Sequence, residues 1–178
     1  MKLNGERLLI AVLLAMPLIG SAPTHAASSP EAAALLADVK TQGATAVVAK
    51  LRADDARWNQ VMANIGQGRH DWLHVAAALR PGTDAGASEA LDEAIFLALK
   101  AAPSTVLQLL KDGTFETRMV CSSNIGADYS AAESKRFIKD RIKVLENLSN
   151  AATEATRAQC LQGLQAALAD FDTSSGSK

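Results

Sequence analysis

Aromatic residues are scarce in this chain of 178 residues: two Trp, one Tyr and four Phe, with only five Pro beside them. Sheets draw on aromatic and β-branched side chains, whereas alanine, the strongest helix former, fills about one position in five here. That shortage excludes a sheet as the main scaffold and predicts an all-α fold. Surplus charge is missing as well, since 18 Lys and Arg face 19 Asp and Glu for a net charge of -1 at pH 7. Neutralising phosphates takes clustered excess cations, usually beside stacking aromatics, so nucleic acid is excluded as a partner. The chain also lacks a Gly-rich phosphate cradle and a GxSxG elbow. Asp92 and Glu93 are sequence neighbours, so they cannot face each other across a cleft as a glycosidase pair does.

No apolar run is long. The longest leading stretch, Leu8 to Met16, falls short of the roughly 20 residues that a spanning helix needs, and Pro17 interrupts it. Lys2 and Arg7 flank it with positive charge, and Ser21 to Ala26 ends on a small residue, which together read as a signal peptide over 1–26 cut after Ala26. No transmembrane segment is expected in the mature chain. No Cys follows the cut, which excludes lipid attachment there. Loss of Lys2, Glu6 and Arg7 with the leader takes the formal charge from -1 to -2. The expected location is the periplasm or the medium. Cysteine is limited to Cys121 and Cys160, and an oxidising compartment predicts that they bond to each other. A bridge over that separation is worth about 2 to 4 kcal/mol. The competing reading, a catalytic thiol, finds no His with a spaced Asn or Asp to serve as its base.

Capping signals divide the rest. Ser28 and Ser29 before Pro30 and Glu31 start a helix that runs to about Gln42, and Gly43 stops it. A short segment follows from Ala44 to Ala53 with Val47, Val48 and Leu51 on one face. Asp54 and Asp55 cap a third, with Trp58, Val61, Met62 and Ile65 in phase; from Asp71, Trp72, Val75, Ala76 and Leu79 repeat the arrangement up to Pro81-Gly82. Trp58 and Trp72 sit at core phases and are expected to pack rather than to stack on a ligand. Thr83 to Ala87 reads as a loop, Ser88 as the start of a helix lined by Leu91, Ala94, Ile95, Ala98 and Leu99, and Ser104 or Thr105 as the cap of one more, carrying Val106, Leu109 and Leu110 up to Asp112-Gly113. The expected organisation is one helical domain over 27–171: stacked short helices, solenoid-like, over 27–113, a loop over 114–129 acting as a hinge, and a long antiparallel helix pair over 130–171. Its stripes are Phe137, Ile138, Ile142, Leu145 and Leu148, and Cys160, Leu161, Leu164, Leu168 and Phe171. The Ser-rich tail 172–178 is expected to be disordered. No fixed repeat of 33 to 47 residues occurs, so the array is irregular.

Three constellations carry possible chemistry. His70-Asp71-Trp72-Leu73-His74 sets two imidazoles four apart around a carboxylate, which resembles the zincin arrangement with Asp71 in place of Glu. The plainer reading makes Asp71 the helix cap, with His70 outside the helix and His74 alone on its surface. No third His exists in the mature chain, so no metal or other cofactor is expected; a metal-dependent hydrolase using His70 and His74 is the alternative. Lys135, Lys139 and Lys143 form an i, i+4 ridge with Arg136 and Arg141 on adjoining faces, either a solvated surface or a contact for an acidic partner. Asp84, Glu89, Asp92 and Glu93 gather near a helix start, where acidic charge is ordinary.

The run Trp58, Val61, Ile65, Gly68, Trp72-Leu73, Ala76, Leu79, Pro81-Gly82, Asp84-Ala85, Glu89, Pro103 and Val106-Leu107, with single Cys121 and Cys160 later, resembles a group of uncharacterised exported helical proteins of Gram-negative bacteria. That resemblance is strongest over Trp58 to Leu110 and implies no activity. In architecture alone, a small exported helical protein with one disulfide is similar to periplasmic immunity proteins. The function expected is therefore a periplasmic, non-catalytic protein-binding module, in its specific form an immunity-type inhibitor of a secreted effector, with another periplasmic or secreted protein as partner. A structural envelope protein is the third reading.

Overall fold

A computed structural model describes residues 29–122 and 129–175, and these form an all-α protein. The leader 1–26, residues 123–128 of the expected loop and the end of the tail lie outside the described residues. Helices α1 (Pro30–Gln42) and α2 (Ala44–Arg52) are joined by a single residue, Gly43, whose φ of 84° suits glycine alone without strain. Ser29 caps α1 through its hydroxyl, with Pro30 in the first turn. Asp54 caps α3 (Asp55–Gly66), accepting from the Arg57 N–H at 3.1 Å.

Several starts differ from their sequence assignments. Helix α4 is His70–Leu79, followed by a 3-10 turn at Arg80–Gly82. Asp71 therefore lies inside the first turn and is not the cap. Helix α5 is Ala85–Ala98, because Asp84 accepts from the Ala87 N–H at 2.9 Å, while Ser88 sits in the helix and shares a hydrogen bond with Thr83 at 2.7 Å. The stretch 83–87 is thus mostly helix. Helix α6 (Pro103–Lys111) starts on its proline, whose fixed φ and missing N–H suit the first helical position; Ser104 and Thr105 are inside and cap nothing. The expected loop contains one helical turn, α7 (Thr117–Val120), held between buried Phe115 and buried Val120.

Helix α8 (Ala131–Glu146) opens on a reciprocal capping box between Ser130 and Glu133. After a 3-10 turn at Ala151–Thr153, α9 runs over Glu154–Ser175. It therefore takes in the first residues of the segment expected to be disordered. Lys135 at the start of α8 reaches Asp172 at 2.8 Å, and Arg157 near the start of α9 donates to the Leu145 carbonyl at 2.9 Å. Those two contacts, one at each end, make the pair antiparallel.

In the first part, α1 packs on α2 and α4, α3 on α5, and α4 on α6; in the last, α9 packs on α6, α7 and α8. One continuous apolar core runs from Ala32 and Leu35 through Trp72, Leu91 and Val106 to Ile138, Leu145, Cys160 and Leu164. Trp58 and Trp72 both belong to it. Cys121, at the end of α7, is bonded to Cys160 of α9, with Cα atoms 5.1 Å apart. Among the described residues, no helix is long and apolar enough to cross a membrane.

Candidate functional site

The basic ridge of α8 takes its orientation from what the opposite side buries. Ser134, Ile138, Arg141 and Leu145 point into the protein, which leaves Arg136, Lys139 and Lys143 exposed. The ridge is not uniformly free. Lys135 is half-buried against α9 and ion-paired with Asp172, whose carboxyl that lysine holds below the ordinary range, with Lys139 adding to the pull. Asp140 pairs with Lys100 of the α5–α6 connection at 2.7 Å. Among the described residues Lys139 and Lys143 form no ion pair, and the Arg136 guanidinium lies 5.3 Å from the Phe137 ring centroid. So the structure keeps Arg136, Lys139 and Lys143 outward and turns Lys135 toward its own chain.

Arg141 corrects the sequence assignment most sharply. Read as part of the solvated surface, it is only 3% exposed. Its Nε donates to the Phe96 carbonyl at 3.1 Å and its Nη2 to the Leu97 carbonyl at 3.0 Å, while Nη1 donates to the Phe137 carbonyl at 3.0 Å. The last carbonyls of a helix have no partner within it, and a planar guanidinium can serve two at once. Burial lowers the guanidinium to about 10, so it remains charged at neutral pH. Its position in the stripe, three after Ile138 and four before Leu145, is the signal that could have revealed it.

His70 and His74 project together from α4, with ring centroids 4.5 Å apart, edge to face, and both side chains exposed. His70 is thus part of the helix and His74 is not alone. Asp71 does not complete a zincin-like trio. Its carboxylate accepts from the Ser29 N–H at 2.6 Å, from Arg69 at 3.2 Å and from the Trp72 N–H at 3.1 Å, which ties α1 to α4. Partial burial pushes its carboxyl up, but those bonds outweigh it and the net is below the ordinary range. Among the described residues, no cluster of three or more His, Cys, Asp or Glu could hold a metal ion, and neither imidazole hydrogen-bonds a hydroxyl or a carboxylate.

The acidic group near α5 disperses. Asp84 is the cap and reaches Arg52 at 3.2 Å, whereas Asp92 is 5% exposed and faces Arg80. Asp92 Oδ1 lies 3.1 Å from Arg80 Nη1 but off the line of a hydrogen bond; Oδ2 accepts from Nη2 at 3.4 Å. Burial, helped by Glu116 and Glu89, raises the Asp92 carboxyl despite Arg80. Arg80 also lies over the Phe115 ring at 5.1 Å, so this pair fastens α4 to α5 and the segment after α6.

Two shallow grooves were not foreseen. One, of about 390 Å³, runs along α7 and α9 past Arg118, Gln159, Gln162 and Asp170, with Gly163 and Cys121 in its lining. The other, of about 380 Å³, lies between α3 and α5 and is lined by Trp58, Met62, Glu93, Leu97 and Tyr129. Their linings come from separate helices, which no local motif marks. No known protein family, curated protein or solved structure matches the chain.

Proposed function

We propose that the chain is exported, processed after Ala26, and acts as a non-catalytic protein-binding module, in the manner of an immunity-type inhibitor that blocks a secreted effector by surface complementarity. The observation that carries this reading is the outward set Arg136, Lys139 and Lys143 on one rigidly mounted helix. Arg141 fixes α8 to the end of α5, and the pairing with α9 fixes its two ends, so the backbone that carries the cations is ordered before binding and only their side chains lose freedom. An acidic surface on another periplasmic or secreted protein is the complement. Charges of this kind steer encounter and select partners more than they add raw affinity.

Affinity capture from a periplasmic extract tests the proposal, with the wild-type chain and the Lys139→Glu/Lys143→Glu variant run side by side at low and high salt. Lys135 is left intact because Asp172 uses it. The expected result is one defined protein retained by the wild type at low ionic strength, weakened at about 1 M salt where screening is nearly complete, and lost from the variant. No retained protein, or equal retention by the variant, overturns it.

A further inference from the structure

We infer that His70 and His74 form a two-imidazole surface site for a borderline first-row transition-metal ion, Cu2+ foremost. This stands independently of the protein-binding reading. The residues lie one helical turn apart on α4, and their rings already touch at 4.5 Å between centroids. Bringing two nitrogens to one ion then costs side-chain rotation and little else, because the helix beneath them is anchored in the core: Trp72 and Leu73 are 1% exposed and Val75 and Ala76 are fully buried. The start of the helix is further held by the Asp71 bond to Ser29.

The surroundings select the class of ion. Both imidazoles are exposed and, among the described residues, neither ring makes a hydrogen bond or an ion pair, so their nitrogens are open to an ion. The Asp71 carboxylate is occupied by two backbone N–H groups and Arg69, and among the described residues no Asp or Glu completes a metal-binding cluster with the two imidazoles, which disfavours Mg2+ and Ca2+. The positive end of the α4 dipole and the Arg69 charge oppose a cation held by electrostatics alone. A metal bound here must gain its energy from nitrogen lone pairs, and that energy rises to Cu2+ and falls again at Zn2+. Two protein ligands leave the other coordination positions to water or to an external donor. Three protein ligands are the usual foundation of a hydrolytic zinc site, so the arrangement favours holding an ion over activating a water.

Calorimetric titration of the untagged full-length protein with CuCl2, and separately with NiCl2, ZnCl2 and MgCl2, tests the site. His70→Gln and His74→Gln are the variants; both positions are exposed, and thermal unfolding without metal checks that each folds as the wild type does. Expected are saturable Cu2+ binding, weaker Ni2+ and Zn2+ binding, no Mg2+ response, and a loss of Cu2+ affinity of at least about tenfold in each single variant. Two variants that bind as the wild type does overturn the inference, as does a loss confined to one of them or a wild type without saturable Cu2+ binding.

Discussion

At the scale of single residues, the side chain that does most to unite this molecule is a cation in the interior. Arg141 exchanges hydration for three carbonyls and for contact with the faces of Phe96 and Phe137, at 4.6 and 5.3 Å. A hydrogen bond from a charged donor is worth about 1.5 to 3 kcal/mol, and an orphaned buried carbonyl costs about 1 to 3. Replacing Arg141 by Met keeps much of the volume but strands the Leu97 carbonyl and leaves the Phe96 carbonyl with the Leu99 N–H alone. The expected loss is about 2 to 4 kcal/mol in urea unfolding. Arg141→Lys should fall between, since an ammonium retains the charge without the fork that spans two carbonyls. The same residue shows where sequence reading stops. Its phase within the Ile138–Leu145 stripe is legible, but two of the three carbonyls it serves are 44 and 45 residues away, and no local pattern encodes them. The i, i+4 spacing of His70 and His74 is local and was legible, but the plainer reading, which put His70 outside the helix, separated them. Asp71 was misread as a cap because its main partner, the Ser29 N–H, lies 42 positions earlier.

At the scale of elements, apolar phase found nearly every helix and cap chemistry found fewer of the starts. Where neighbouring signals agree on one boundary, as at Ser29-Pro30 or Asp54-Asp55, the assignment agrees with the structure; where Asp84 competes with Ser88, or Pro103 with Ser104, two valid signals compete and the earlier one wins. The α7 turn was missed because four residues are too few for a period to show. What brings α7 onto α9 is a missing side chain. A Cβ on Gly163, inside α9, would overlap the Cys121 carbonyl oxygen, so the helix can come this close only with glycine there. Helix propensity favours alanine over glycine by about 1 kcal/mol. Gly163→Ala is nonetheless expected to destabilise, by up to about 2 kcal/mol after the propensity gain, because overpacking of this kind costs about 1 to 3. Chemical denaturation measures it, and a stabilised variant would show that α9 can slide away from Cys121 without penalty.

At the scale of the whole molecule, the links from the early helices to the last two include the Arg141 fork, the Lys100–Asp140 pair and the Cys121–Cys160 bond. Only the last is covalent, and only it depends on the compartment. Closing a loop of 39 residues restricts the unfolded chain by about 4 kcal/mol on the chain-entropy account. Both cysteines are buried, so removing two sulfurs adds only a small cavity cost. For a chain of this size each kcal/mol moves the midpoint by roughly 2 to 4 °C, and the Cys121→Ala/Cys160→Ala variant should melt about 8 to 16 °C lower than the oxidised protein. Either single variant should fall nearly as far, since one cysteine cannot keep the bond. The comparison that ties stability to export uses the wild-type sequence twice, once with its leader and once expressed in the cytosol without it. Unfolded in denaturant without reductant, the exported protein should present no free thiol to a titrating reagent and the cytosolic protein two; folded, the first should melt high and the second with the double variant. Equal midpoints in the two preparations would mean that the core and Arg141 hold α9 in place unaided, with the sulfur bond adding nothing to the fold.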